Sequence, residues 1–316
     1  MRVCLMIEGQ EAVTWEQWLT LARACEDSGL DGLFRSDHYA SVMQGQVRGG
    51  LDAWATLTAL GAHTERIRLG SMVSPATFRH PSELAKVVVT ADHVSGGRVE
   101  LGMGAGWNEH EHVSYGFPFH DMSTRLELFA EQLEIVHRQW TEDEFDFHGR
   151  HYRLEGCRAL PKPVQEPHPP LIVGGSAGRK TADPAARFAD EYNTVAAPVD
   201  ECRRRRAKLD AACERAGRDP STLRFSLMTG CVLGEDEAQV LDRARALLAA
   251  TGRDVDPREW VESRRDALVI GTPDEAAARL RELEDAGVER VFLQHLAHED
   301  VEMVELIGRE LVPLVA

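Results

Sequence analysis

The chain of 316 residues is short of several things at once. Its six cysteines, at 4, 25, 157, 202, 213 and 231, include no Cys-x-x-Cys pair. Several fall at apolar periodic positions, where a free thiol behaves as a small hydrophobe. That usage offers no disulfide framework and fits a reducing cytoplasm. No apolar run approaches the length of a membrane span. The opening residues, Met1 to Gly9, turn polar too soon for a secretory signal. Positive charge is also in deficit: 36 Lys and Arg face 52 Asp and Glu, a net charge of −16. Nucleic acid and anionic membranes are poor partners for such a surface. The basic run Arg203 to Arg206 shares a helical segment with Glu201, Asp210 and Glu214 and reads as a solvated helix face. The Gly-Lys-Ser/Thr of a P-loop is missing as well.

What the sequence has is alternation. Apolar strand-like runs (Val3 to Ile7, Leu33 to Arg35, Ile67 to Val73, Val99 to Met103, Leu171 to Gly175, Asn193 to Ala196, Val291 to Leu293) are separated by segments with helical period. Those include Trp15 to Asp27, Asp52 to His63, Ser82 to His93 and Ser123 to Trp140. Gly29, Gly96-Gly97 and Gly287 end helices, and Thr272-Pro273-Asp274 opens one. About eight strand-helix units result, with no linker between them. Parallel strands joined by helices form an open doubly wound sheet or a closed barrel. The count favours a (β/α)₈ barrel, one domain over residues 1–316. Excursions interrupt the repeat at about 141–170, where a hairpin is expected, and 252–270.

Polar or glycine-rich clusters close several of these strands. That puts one site at the C-terminal strand ends, where parallel α/β proteins keep their chemistry. Ser36-Asp37-His38 ends the second strand, and histidine suits proton transfer near neutral pH. Glu8 and Gln10 end the first strand and are placed to face the same cavity. Gly102-Met103-Gly104-Ala105-Gly106-Trp107 is not a dinucleotide fingerprint, because Trp107 holds the place of the third glycine. Its small residues let a flat ring lie against the backbone. Gly174-Gly175-Ser176-Ala177-Gly178-Arg179-Lys180 opens a helix after a strand, an arrangement that binds phosphate. Asn108-Glu109-His110-Glu111-His112 has metal-ligand residue types but not His-Glu-x-x-His spacing. It reads as a polar loop near the site, with Glu111 orienting it, and no metal is expected.

In this order the clusters resemble the bacterial luciferase-like family of flavin and deazaflavin oxidoreductases. The likeness is carried by Ser36-Asp37-His38, by Leu69 to Pro75 with Phe78-Arg79-His80-Pro81, and by Arg98 to Asn108. It continues through Glu111, Tyr115-Gly116, Arg125-Leu126 with Glu131-Gln132-Leu133, Val173 to Ser176 and Gly271-Thr272-Pro273. The resemblance implies a (β/α)₈ barrel with insertions that binds coenzyme F420 or, alternatively, FMN. It implies Asp37 and His38 beside the cofactor ring, with His38 catalytic; Glu8, placed to face the same cavity, is the reserve candidate. Met72 and Val73, joined by a non-prolyl cis bond, back the ring, together with Ala105 and Gly106. Gly174, Gly175 and Ser176 contact the phosphate end. Trp107 replaces the acidic residue that the family's sugar-phosphate dehydrogenase carries there, which speaks against sugar-phosphate oxidation. A small-molecule substrate is expected, with Trp107, Tyr39 and parts of the excursion as its wall. A homodimer is expected through barrel helices, with Trp54, Leu57 and Leu60 of Asp52 to His63 as contacts. Three functions stand at this point: hydride transfer with the deazaflavin, favoured by Asp37-His38; FMN-dependent oxygenation; and a noncatalytic ligand-binding relative.

Overall fold

A computed structural model describes residues 1–43 and 46–316. Eight parallel strands close into a barrel: β1 (Arg2–Ile7), β2 (Gly32–Arg35), β3 (Arg68–Ser71), β4 (Val99–Gly104), β5 (Leu171–Gly174), β6 (Glu191–Val195), β7 (Arg224–Leu233) and β8 (Arg290–Gln294). Each pairs with its neighbour in chain order, and β8 pairs with β1, Phe292 opposite Cys4. The sequence-level expectation of a (β/α)₈ barrel holds.

The strand period of two decides what goes inside. Along β1, Val3, Leu5 and Ile7 pack outward into the main core under the helices, while Cys4 and Met6 point into the barrel. The interior then falls into layers. The middle layer is apolar, built from Cys4, Met6, Phe34, Ile172 and Phe292. Gly70 in β3 makes room for it, since a Cβ there would stand 2.4 Å from the Phe34 ring. Below lies a charged floor. Arg290 Nη2 donates to Glu100 Oε2 at 2.6 Å, and Arg290 Nε donates to Glu191 Oε1 at 3.2 Å. Arg68 Nε donates to Glu100 Oε1 at 2.7 Å. The Arg290 guanidinium also sits 4.6 Å from the Phe292 ring centroid, tying floor to middle layer. Above the apolar layer, the same inward register delivers Glu8, Ser36, Gly104, Gly174, Asn193, Met228 and Gln294 to the open end.

Three expectations need correction. The helix after β2, Ala53–Gly61, does not present Trp54, Leu57 and Leu60 to a partner. All three are buried in this chain's own core, and Trp54 Nε1 donates to Ser74 Oγ at 3.0 Å. The residues offered for a dimer contact are therefore unavailable. The strand expected over Ile67 to Val73 is β3 followed by a separate short strand, Ser74–Pro75, with the Met72–Val73 peptide bond between them cis, as the resemblance implies. The expected loop at 108–112 belongs to a helix, Glu109–Tyr115, whose inward side carries Glu111 and His112. The excursion at 252–270 holds the helix Pro257–Arg264 and most of the strand Val269–Gly271, which extends the sheet from Cys231–Leu233 of β7. The other excursion does contain the expected hairpin, Phe145–His148 against Arg153–Cys157. Arg203 to Arg206 pair with Asp200, Glu201 and Asp210 along their own helix. Among the described residues no helix is long and apolar enough to cross a membrane.

Candidate active site

A cavity of about 470 Å³ opens at the C-terminal end of the barrel. One wall is backbone and small side chains: Met72, Val73, Gly104, Ala105 and Gly106, with Gly174 and Gly175 beside them. The glycines are required there. A Cβ on Gly104 would lie 2.8 Å from Val73 Cγ2, and one on Gly174 would lie 3.1 Å from Val73 Cγ1. Gly106 has φ +78°, and a Cβ on it would meet Thr77 Oγ1 at 2.7 Å. Side chains at these places would push Val73 and Thr77 out of register. Without them the wall is smooth enough for a planar ring.

The rest of the lining carries the polar groups. His38 follows β2 at the cavity edge, and its Nδ1 lies 2.6 Å from Glu111 Oε1. The other Glu111 oxygen accepts from the Tyr39 amide at 3.0 Å, so the carboxylate fixes both ring and backbone. Glu111 is 1% exposed. Trp107 stands edge-on to the imidazole, centroids 5.7 Å apart. Burial opposes charge on His38, but the hydrogen bond and charge of Glu111, helped by Glu8 and Asp37, prevail and raise its pKa above 6.5. With Nδ1 engaged, Nε2 is the nitrogen left for a ligand. Glu8 also lines the cavity, held by Gln294 Nε2 at 2.5 Å and Gln10 Nε2 at 2.8 Å. Asn193, which donates to Ser226 Oγ at 2.9 Å, completes the polar lining near Gly174.

Of the residues expected from sequence, His38, Glu8, Met72, Val73, Ala105, Gly106, Gly174 and Gly175 meet at this cavity. Asp37 does not line it. Its carboxylate accepts from Arg79 Nη1 at 2.6 Å and from Ser74 Oγ at 2.7 Å, beneath the loop that carries His38. Asp37 thus anchors that loop to the third strand-helix unit instead of touching a ligand. Ser176 is exposed just outside the lining. Tyr39 packs with Phe78, Tyr115 and Phe117 away from the cavity, and the 141–170 excursion packs on Ile135. Trp107 alone of the expected substrate wall is in place. Among the described residues no cluster of three or more His, Cys, Asp and Glu side chains is arranged to hold a metal. His112 instead bonds Thr77 Oγ1 and the Asn108 carbonyl, both at 2.6 Å. Sequence reasoning missed Gln294 and Asn193. Both occupy inward positions at their strand tops, a signal that strict alternation along β6 and β8 carries.

The luciferase-like monooxygenase family model matches residues 3–290, and the chain belongs to that family. An uncharacterized protein of Mycobacterium tuberculosis is 39% identical over 150 residues, 48% of this chain and 52% of its own length. The match thus spans only about half of that relative. An FMNH2-dependent dimethylsulfone monooxygenase of Pseudomonas putida is 28% identical over 288 residues, 81% of this chain and 76% of its own. An F420-dependent glucose-6-phosphate dehydrogenase of Microbacterium testaceum is 27% identical over 308 residues, 91% of this chain and 90% of its own. Among solved structures, a monooxygenase of Streptomyces bottropensis superposes with a TM-score of 0.84 at 22% identity, covering 100% of both chains. An F420-dependent secondary alcohol dehydrogenase superposes with 0.83 at 20% identity, covering 100% of this chain and 99% of its own. At these identities the structures speak for the fold alone.

A pH prediction follows from the His38–Glu111 pair. A step that draws its proton from His38 slows as pH rises past a midpoint above 6.5, the raised pKa. Glu111→Gln removes the group that opposes burial, so the midpoint moves down. A pH profile of single turnover for both proteins checks the sign; a midpoint unmoved by Glu111→Gln contradicts it.

Proposed function

We propose that this chain is an F420-dependent oxidoreductase that transfers hydride between the deazaflavin and a small organic substrate. The observation that carries the reading is the buried His38–Glu111 pair at 2.6 Å on the cavity edge. When bound, the deazaflavin supplies a ring carbon that gives or takes hydride. The backbone wall of Met72, Val73, Ala105 and Gly106 orients the ring, and the residues present fit a flat tricycle. Gly174, Gly175 and Ser176, ahead of the helix Arg179–Phe188, receive the phosphate end; Gly178 caps that helix without a side-chain bond. His38 holds or accepts the proton at Nε2 as charge changes on the substrate oxygen. Glu111 keeps the imidazole oriented, and Glu8, tied to Gln294 and Gln10, is the reserve acid. Trp107 closes the substrate side. His38, Glu8, Met72, Val73, Ala105, Gly106, Gly174, Gly175 and Ser176 are the proposed contacts, with Asp37 as an anchor.

The phosphate assignment has its own prediction. Gly175→Asp is a poor probe, because a Cβ there would lie 2.5 Å from the Tyr192 hydroxyl. Ser176 is exposed, so Ser176→Asp adds a carboxylate without disturbing packing. Cofactor affinity is expected to fall about tenfold, the scale of one unfavourable charge contact. Unchanged affinity in a folded variant removes the assignment.

The function itself is tested under argon. Reduced deazaflavin is offered with a panel of carbonyl compounds, and its oxidation is followed optically. Hydride transfer proceeds without oxygen. Turnover that appears only with FMNH2 and air assigns the chain to the monooxygenases instead.

A further inference from the structure

A second chamber of about 200 Å³ adjoins the cavity, sharing Val195, Met228 and Gln294 with it. It is built by the upper half of β7 and by the helices Glu237–Ala250 and Pro257–Arg264, the segment that interrupts the barrel repeat. Leu247, Leu248 and Trp260 belong to a small hydrophobic cluster separate from the main core, with Leu268 packed against it. These four side chains line the chamber together with Gly230 and make it apolar. Cys231, also on its wall, stays a neutral thiol, because burial pushes its pKa up to about 12.

Charge at the chamber is one-sided. Among the described residues no carboxylate lines it, in a chain of net charge −16. Its charged residues are Arg253 and Arg264, both exposed at the rim. Elsewhere on this surface several arginines pair with acids three or four residues away. Among the described residues neither Arg253 nor Arg264 is in an ion pair. An apolar recess rimmed by two guanidiniums with no acid complements a molecule with a greasy body and an anionic end. A cavity of about 150 Å³ holds a benzene ring, so this one takes a single ring or a chain of about six to eight carbons.

We propose that the chamber receives the apolar body of the substrate and that Arg253 and Arg264 select an anionic one, a small aromatic or aliphatic carboxylate. The inference rests on reading the larger cavity as the cofactor site. Gln294 and Met228, common to both walls, mark where the substrate's reacting carbon meets that cavity.

The test uses calorimetric titration of the full chain with 3-phenylpropanoate and with 3-phenylpropan-1-ol. The same titration is run on the Arg253→Gln/Arg264→Gln double variant, on Gly230→Leu and on Gly230→Ala. F420 and FMN affinities are measured on every protein. The wild type is expected to bind the acid at least about tenfold more tightly than the alcohol, the size of a charge-assisted hydrogen bond. The double variant loses that preference. Gly230→Leu fills the chamber and loses both ligands, with cofactor affinity within about twofold of wild type. Gly230→Ala, whose methyl meets Leu268 at an ordinary 3.4 Å, keeps both and controls for folding. Equal affinity for acid and alcohol, no acid binding at millimolar concentration, or wild-type binding by Gly230→Leu overturns the proposal. Acid preference in a protein that binds neither F420 nor FMN leaves the chamber standing and removes the cofactor reading.

Discussion

His38→Ala is expected to slow single-turnover oxidation of the reduced deazaflavin by about 10²- to 10⁴-fold, the usual worth of a positioned acid or base. Hydride arriving at a carbonyl carbon leaves negative charge on the oxygen, and a proton donor within reach lowers that barrier. His38 meets the geometric condition: Glu111 at 2.6 Å fixes its tautomer and orientation and leaves Nε2 for the ligand. It also meets the electrostatic condition, since the hydrogen bond and charge of Glu111 raise its pKa above 6.5 against the effect of burial and so favour the protonated ring. Cofactor affinity should change far less than rate, because the wall proposed for the ring is made of Met72, Val73, Ala105 and Gly106 and does not include the imidazole. Glu8→Gln is the comparison. If Glu8→Gln is slow and His38→Ala runs at the wild-type rate, the proton belongs to Glu8.

Arg290→Met is expected to cost about 3–5 kcal/mol of stability, read as a lowered urea midpoint. The guanidinium is 1% exposed and faces two buried carboxylates, Glu100 and Glu191. Methionine fills the space but leaves both acids without their shared cation, a larger penalty than losing the pair as a whole. The acid limb of the stability curve reports the same floor. Burial would push the Glu100 carboxyl up, yet the charges and hydrogen bonds of Arg290 and Arg68 hold its pKa down to about 2. A carboxylate with a depressed folded pKa contributes stability that is present above the ordinary value near 4.5 and lost as pH falls toward 2. In Arg290→Met the loss should begin at higher pH. An unchanged urea midpoint means the floor is no support.

The barrel was legible because helical and strand periods alternate cleanly and glycines stand where helices end. The cavity wall was legible because Gly104 and Gly106 stand at the top of one strand and Gly174 and Gly175 at the top of another, and only strand tops in a parallel barrel bring such runs together. Other features resist reading for physical reasons. A helix between barrel units buries one face by necessity, so apolar residues at Trp54, Leu57 and Leu60 say nothing of a partner until the neighbouring helix is seen. Asp37 looks like a ligand in sequence because its partner Arg79 lies 42 positions away. Glu100 and Arg290 sit 190 positions apart, and only the closing of the barrel makes them a pair. The chamber at Arg253 and Arg264 is built by an interruption of the repeat, where periodicity offers no guide.

The most direct measurement is an equilibrium titration of the purified chain with F420 and, separately, with FMN, followed by cofactor fluorescence. The account predicts saturable F420 binding that is tighter than FMN binding and weakened by Ser176→Asp. Tight FMN binding with no F420 binding would contradict it.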